Sequence, residues 1–261
     1  MSTWIFLRGL TRERTHWGSF PDTFRQVIPN AQILSLDLPG NGLLHGQRSP
    51  MAVQDMVAAC RTALECRGVE HPVRLLAMSL GAMVAADWAR TAPSEIAGCV
   101  LINTSMRPFS PFYRRLLPRN YLSLLRLALL PRSAETIESS ILRMTSNHPD
   151  QHRHVVTDWV AARTQRPVSR ANALRQLVAA ARYQAPATAP TPAILLLSSR
   201  LDHLVDNRCS QAIARAWNCP LVAHPDAGHD LPLDDPLWVA EAVRRWLNGH
   251  PNKHNFNGRS R

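Results

Sequence analysis

Apolar residues in this 261-residue chain gather into short unbroken runs, and between the runs they recur every three or four positions. The runs are "TWIFLRG" at 3–9, "AQILSLDLPG" at 31–40, "HPVRLLAM" at 71–78, "AGCVLINTS" at 97–105, "TPAILLLSS" at 191–199 and "PLVAHPD" at 220–226. A strand covered by helices on both faces has no solvent side to supply polar alternates, so runs of this kind predict buried parallel strands. Helical spacing predicts helices over 53–67, 80–91, 207–217 and 236–248. The alternation of the two predicts an α/β fold with a doubly wound, mostly parallel sheet.

Between about 107 and 185 the alternation stops. "FYRRLLPRNYLSLLRLALLPRS" has a helical period broken by Pro118 and Pro131, which remove backbone donors and clash with the preceding turn. "SAETIESSILRMTS" and "SRANALRQLVAAARYQ" are helical as well. Following a central strand, this stretch is expected to be a helical lid over the strand ends, with the Pro-rich "APATAPTP" at 185–192 returning the chain to the sheet. The expected organisation is a core of 1–106 and 186–249, a lid of 107–185 and a disordered basic tail at 250–261.

The run at 71–78 ends abruptly at Ser79, and a small-residue helical pattern begins at once: "AMSLGAMVA". A strand that turns directly into a helix passes through a tight bend, and a hydroxyl there faces the cleft beyond the strand ends, where ligands of open α/β sheets bind. Ala77 and Gly81, two positions either side, are small enough to let strand and helix approach, as in the G-x-S-x-G nucleophile elbow. Taken alone, the pentad is equally a serine N-cap on an ordinary helix.

Other stretches bear on that choice. A serine hydroxyl needs a base within hydrogen-bond reach, itself oriented by a carboxylate. "SSRLDHLVD" supplies Asp202 just after a strand, with Asp206 as its rival and as the better N-cap of the next helix. "PDAGHDLPLDDP" supplies His229 in a turn between the last strand and the last helix; His16, His203 and His224 are its rivals. The loop after the 97–105 strand offers Asn103, Thr104 and Ser105 but no carboxylate. Donors for a developing oxyanion are expected from the backbone amides of Leu80, after the serine, and Leu10, in the loop "LRGLTRERTHWG" where Gly9 allows the turn.

The segments "LRGL", "DLPGNG", "AMSLGAMVA", "SSRLDHLVD" and "AGHDLPLDDP", in that order, resemble the α/β-hydrolase fold enzymes of the small esterase type. The likeness is greatest to the carboxylesterases that demethylate pimeloyl-carrier-protein esters in biotin synthesis. It covers most of residues 3–248. The chain departs from the family in having Arg8-Gly9 where His-Gly is usual, and Ala77 for the first glycine of the elbow. With the strand bearing the oxyanion loop read first, the one or two leading antiparallel strands common in the family are not expected, and about six parallel strands are. Asp37 in "DLPGNG" reads as a turn residue.

The resemblance implies two-step acyl transfer by Ser79, His229 and Asp202, with no metal or organic cofactor. Lid residues Phe109, Phe112 and Trp159 among apolar neighbours, together with Arg143 and, beside the oxyanion loop, Arg8, are candidates for substrate contact. An apolar acyl ester, with an acyl carrier protein as a potential partner, fits that mixture; an amphipathic lid with a solvated basic face fits it equally. A thioesterase or C–C bond hydrolase on the same triad, or a binding protein that lost turnover, stays open.

Composition adds limits. Hydrophobic residues at 45% and charged residues at 19% suit a folded domain. The formal net charge is +11, almost all arginine, since Lys253 is the sole lysine. That charge permits nucleic acid, an anionic membrane or acidic substrates as partners, but the arginines are spread along the chain and no RNA-binding or zinc-finger signature accompanies them. Nothing approaches the roughly 18 apolar residues of a membrane span, and "MSTWIFLRGL" is not expected to be a signal peptide. The five cysteines are widely spaced and form no C-x-x-C, so reduced thiols in a cytoplasmic protein are expected.

Overall fold

A computed structural model describes residues 2–130 and 132–249; the basic tail expected at 250–261 lies outside them. In chain order the elements are β1 (Ser2–Leu7), α1 (Phe20–Val27), β2 (Ala31–Leu36), α2 (Val53–Glu65), β3 (Val73–Met78), α3 (Leu80–Thr91) and β4 (Ile96–Ile102). The insertion follows as α4 (Phe112–Arg115), α5 (Tyr121–Leu129), α6 (Ala134–Thr145), α7 (Val155–Gln165) and α8 (Arg170–Arg182). The chain then completes β5 (Ile194–Ser199), α9 (Arg208–Trp217), β6 (Leu221–His224), α10 (Leu231–Asp234) and α11 (Pro236–Gly249). All six strands are parallel, in the order β2-β1-β3-β4-β5-β6. The order reverses direction after β1, so β1 and β3 lie side by side, and it is beyond the C-terminal ends of strands at such a switch point that open α/β sheets bind ligands.

The unbroken apolar runs are explained by two cores, one on each face. Ile5, Leu7, Leu75 and Ala77 point to one face, against α2, α3 and α9. Trp4, Phe6, Leu76 and Met78 point to the other, where Phe20 and Phe24 of α1 and Val239, Val243 and Trp246 of α11 cover them. Each large apolar side chain buried in this way contributes about 1.5–3 kcal/mol. The central helix α3 is buried along nearly its whole length, and its many alanines let it lie close against the sheet.

Two helices of the fold have weak signals in the sequence. α1 is eight residues with two buried phenylalanines and a proline in its first turn. In α7 the apolar residues do not segregate to one side: Trp159 and Ala162 are buried against α6 and the loop after β1, while Val160 is half-buried and Ala161 exposed.

Gly81 shows how tightly the centre is built. A Cβ there would meet the backbone oxygens of Leu7 and Arg8 at 2.6 Å each, well inside contact distance. Gly81→Ala is therefore expected to destabilise the fold by about 1–3 kcal/mol in urea denaturation. Gly46→Ala, at a position with nothing within 4 Å, is expected to stay within about 0.5 kcal/mol of the parent.

Candidate active site

The bend between β3 and α3 is held by Ser79, whose φ of 54° and ψ of −117° place it in a region side chains rarely occupy. Such a conformation costs on the order of 1–3 kcal/mol and persists only where its surroundings fix it. The Ser79 amide donates to Ile102 O at 3.0 Å, and the Thr104 hydroxyl donates to Ser79 O at 3.0 Å. Both partners lie at or just past the end of β4, so the neighbouring strand holds the bend. Leu80 begins α3, and its amide, at the helix N-terminus, has no partner one turn back.

The loop after β1 runs directly beside this serine. A Cβ on Gly9 would lie 3.0 Å from Ser79 Cβ and 3.6 Å from Ser79 Oγ. In the turn that follows, the Arg12 amide donates to Gly9 O at 3.2 Å and the Thr11 amide to Gln176 Oε1 at 2.8 Å. Neither bond uses the Leu10 amide.

At the ends of β5 and β6, His229 Nδ1 and Asp202 Oδ2 are 2.7 Å apart, with side chains 4% and 2% exposed. A carboxylate only accepts, so Nδ1 carries the proton and Nε2 is left as the ring's acceptor. The other carboxylate oxygen of Asp202 accepts from the amides of Leu204 and Val205 at 2.8 and 2.9 Å, which fixes its orientation. Asp206 instead pairs with Arg208 at the start of α9. His224 caps its own turn through the Ala227 amide, and His203 faces Arg119. Asp37 accepts from the amide of Leu43 within its own loop and from that of Arg14 in the loop after β1, so it joins the two loops.

Asn103 connects these pieces, and sequence reading passed it over. It has a φ of 43° just past β4. Its Nδ2 donates to His229 O at 2.8 Å and to Ser199 Oγ at 3.0 Å, and its Oδ1 accepts from the Ser199 amide at 2.8 Å. One amide thus fastens the β5 end to the His229 loop. The available hint was a single asparagine ending an apolar strand.

Arg8 has a partner rather than an open position. Its two terminal nitrogens lie 3.0 and 2.6 Å from the carboxylate of Asp230, the residue after His229, with both side chains 3% exposed. The guanidinium also lies 4.8 Å from the ring of Trp17. This ion pair joins the Gly9 loop to the His229 loop. The other positions put forward for substrate contact have varied surroundings. Phe109 packs edge-on against Trp217, Phe112 is 74% exposed, Arg143 is on the outer surface of the insertion, and Trp159 is buried beneath Arg12.

The insertion is tied to the loop after β1 by buried polar groups. Glu138 of α6, 1% exposed, accepts from Arg12 at 2.6 Å and also from Arg163 of α7. Glu13 pairs with Arg166, and Gln176 of α8 holds the Thr11 amide. His16 lies within this cluster. Arginine only donates, so the Arg12 contact of 2.8 Å makes His16 Nε2 an acceptor and the ring neutral. Burial, reinforced by the charges of Arg12 and Arg8, holds its pKa well below the ordinary value of 6.5. Among the described residues no group of three or more His, Cys, Asp or Glu could hold a metal ion, and no helix is long and apolar enough to cross a membrane.

A sequence profile described as the alpha/beta hydrolase family matches residues 4–242. No curated protein matches the chain in sequence. Among solved structures, it is similar to a thermophilic esterase from Thermogutta terrifontis, with a TM-score of 0.73 and 20% identity over 95% of this chain and 90% of the other. A hydrolase from Pseudomonas aeruginosa PA01 gives 0.72 and 17% over 94% and 89%. A monoacylglycerol lipase from Paleococcus ferrophilus gives 0.62 and 16% over 95% and 94%. At these identities the likeness is one of fold.

Two predictions follow from the buried charges. Arg8→Gln or Asp230→Asn alone leaves a partner charge buried, and each is expected to destabilise the protein by about 3–5 kcal/mol. The double variant Arg8→Met/Asp230→Leu is expected to recover most of that loss in urea denaturation. Because the folded state keeps His16 neutral and the unfolded state does not, stability is expected to fall as pH drops below about 6.5, by up to about 1.4 kcal/mol per pH unit. Comparing the pH dependence of Tm between the parent and His16→Gln isolates this contribution, which the variant lacks.

Proposed function

The chain belongs to the alpha/beta hydrolase family, and from that premise we propose that it is a serine hydrolase cleaving carboxylic esters. The observation that carries the reading is the buried His229–Asp202 pair at the same sheet edge as a serine bent into a strained strand-to-helix turn. Ser79 Oγ attacks the substrate carbonyl carbon while His229 Nε2 takes its proton. Asp202 holds Nδ1–H and stabilises the imidazolium. The amides of Leu80 and Leu10 receive the oxyanion; the nearness of Gly9 to the serine hydroxyl supports the second assignment. The tetrahedral intermediate collapses, the alcohol leaves with the proton from His229, and a water activated by the same ring releases the acid.

Asn103 and the Arg8–Asp230 pair act in this scheme as positioning groups: one holds the His229 carbonyl, the other holds the next residue against the oxyanion loop. The narrower reading, a carrier-linked pimeloyl methyl ester as substrate, is supported by the sequence resemblance alone.

A fluorophosphonate probe is expected to label the parent protein at Ser79, located by peptide mass spectrometry. On a short aryl ester, Ser79→Ala or His229→Ala is expected to lower kcat by at least about 10⁴-fold, and Asp202→Asn by about 10⁴-fold. Undiminished hydrolysis by Ser79→Ala would remove this serine from the chemistry.

A further inference from the structure

We propose that the outer face of the insertion, built on α5 and the start of α6, docks on an anionic phospholipid bilayer. The first ground is charge. No Asp or Glu occurs from residue 96 to 134, while Arg107, Arg114, Arg115, Arg119, Arg126 and Arg132 all do. Several surface arginines elsewhere sit beside a carboxylate, as in Arg25–Asp22, Arg61–Glu95, Arg153–Asp150 and Arg244–Glu241, while others such as Arg67 and Arg215 do not among the described residues. What sets this segment apart is the run without acidic residues. Arg126, Arg132 and Arg143 are exposed and have no ion pair among the described residues. Glu135 at the start of α6 is the first carboxylate after this segment, so the face keeps an excess of positive charge.

The second ground is apolar exposure on the same segment. Phe112 is 74% exposed, Leu122 56%, Leu125 54% and Leu130 46%, with Tyr113 and Tyr121 also on the surface. Leu122 and Leu125 are three residues apart and share one side of α5. The third ground is shape. Between α5 and α6 lies an open cleft of about 280 Å³ lined by Arg126, Arg132 and Arg143 together with Ser123 and Thr136, and its lining contains no carboxylate. That donor set suits a phosphodiester.

A bilayer satisfies all three at once. Leucines enter the acyl boundary while guanidiniums on the same helix stay at the depth of the phosphates. An acidic protein would match the charge but leave the leucines of α5 in water, and a nucleic acid would do the same. The face is also joined to the candidate site: the Leu117 amide donates to Leu204 O, Asn120 Nδ2 to His203 O, and the Asp206 amide to Arg114 O. Docking there would set the Asp202 loop beside the lipid. The inference does not depend on the esterase reading, since Ser79→Ala is expected to bind as the parent does.

The test is co-sedimentation of the full chain with vesicles of phosphatidylcholine alone and of an equimolar mixture with phosphatidylglycerol, near physiological salt. Binding is expected to the mixed vesicles and not to the neutral ones. Arg126→Gln/Arg132→Gln is expected to weaken it by about 25-fold, from a loss of about 1 kcal/mol per arginine. Leu122→Ser/Leu125→Ser is expected to weaken it by at least about tenfold. Unchanged circular dichroism and unchanged hydrolysis of a soluble aryl ester show that both variants are folded. Equal binding to both kinds of vesicle overturns the proposal. So does binding that the leucine variant retains in full, or retention by an acidic protein with no partitioning onto vesicles.

Discussion

One strained residue governs the architecture of the sheet edge. Ser79 can hold its φ of 54° only because the strand beside it supplies an acceptor for its amide and a donor for its carbonyl. The same bend requires that helix α3 start within contact distance of the end of β1, which is why Gly81 has no room for a methyl group. The sheet order then follows as a geometric need: β1 and β4 must flank β3, one to present a loop to the serine and the other to hold it.

Around that bend, charged and amide side chains join loops that the strands alone would leave independent. Asn103 links β4 to β5 and to the His229 loop, and Arg8–Asp230 links β1 to that same loop. Buried ion pairs contribute little net stability compared with apolar packing, but breaking one is severe, so they fix a unique arrangement. Here the arrangement they fix is the relative position of three loop segments. The bidentate geometry of Arg8 suits this role, since two parallel bonds define both distance and angle.

Strand positions were legible because a strand buried on both faces has to be apolar throughout, and all six runs became strands within a few residues of their expected ends. Ser79, Asp202 and His229 stood out through spacing and order along the chain, and the fold does bring Asp202 and His229 into contact. Asn103 and Arg8 were illegible for a common reason. The partners of Asn103 lie 96 and 126 residues away and that of Arg8 lies 222 away, and nothing local in the sequence marks a pair of that kind. An arginine at a loop was open to a substrate-facing reading until its carboxylate was located. α7 was illegible because its apolar residues serve neighbours on more than one side.

The tethering of the insertion is uneven. Helices α6 and α8 each send a side chain to the loop after β1, through Glu138 and Gln176, and Arg166, just past α7, pairs with Glu13 of that loop. The segment carrying α4 and α5 meets α8 through Arg115, whose guanidinium donates to Ala180 O, and meets the acid loop mainly through backbone and amide hydrogen bonds. Segments with few buried contacts open at lower free energy than those locked by buried groups. The insertion is therefore a shoulder fastened by buried polar groups along α6 to α8 with a looser apron along α4 and α5, so local opening is expected to begin at the apron.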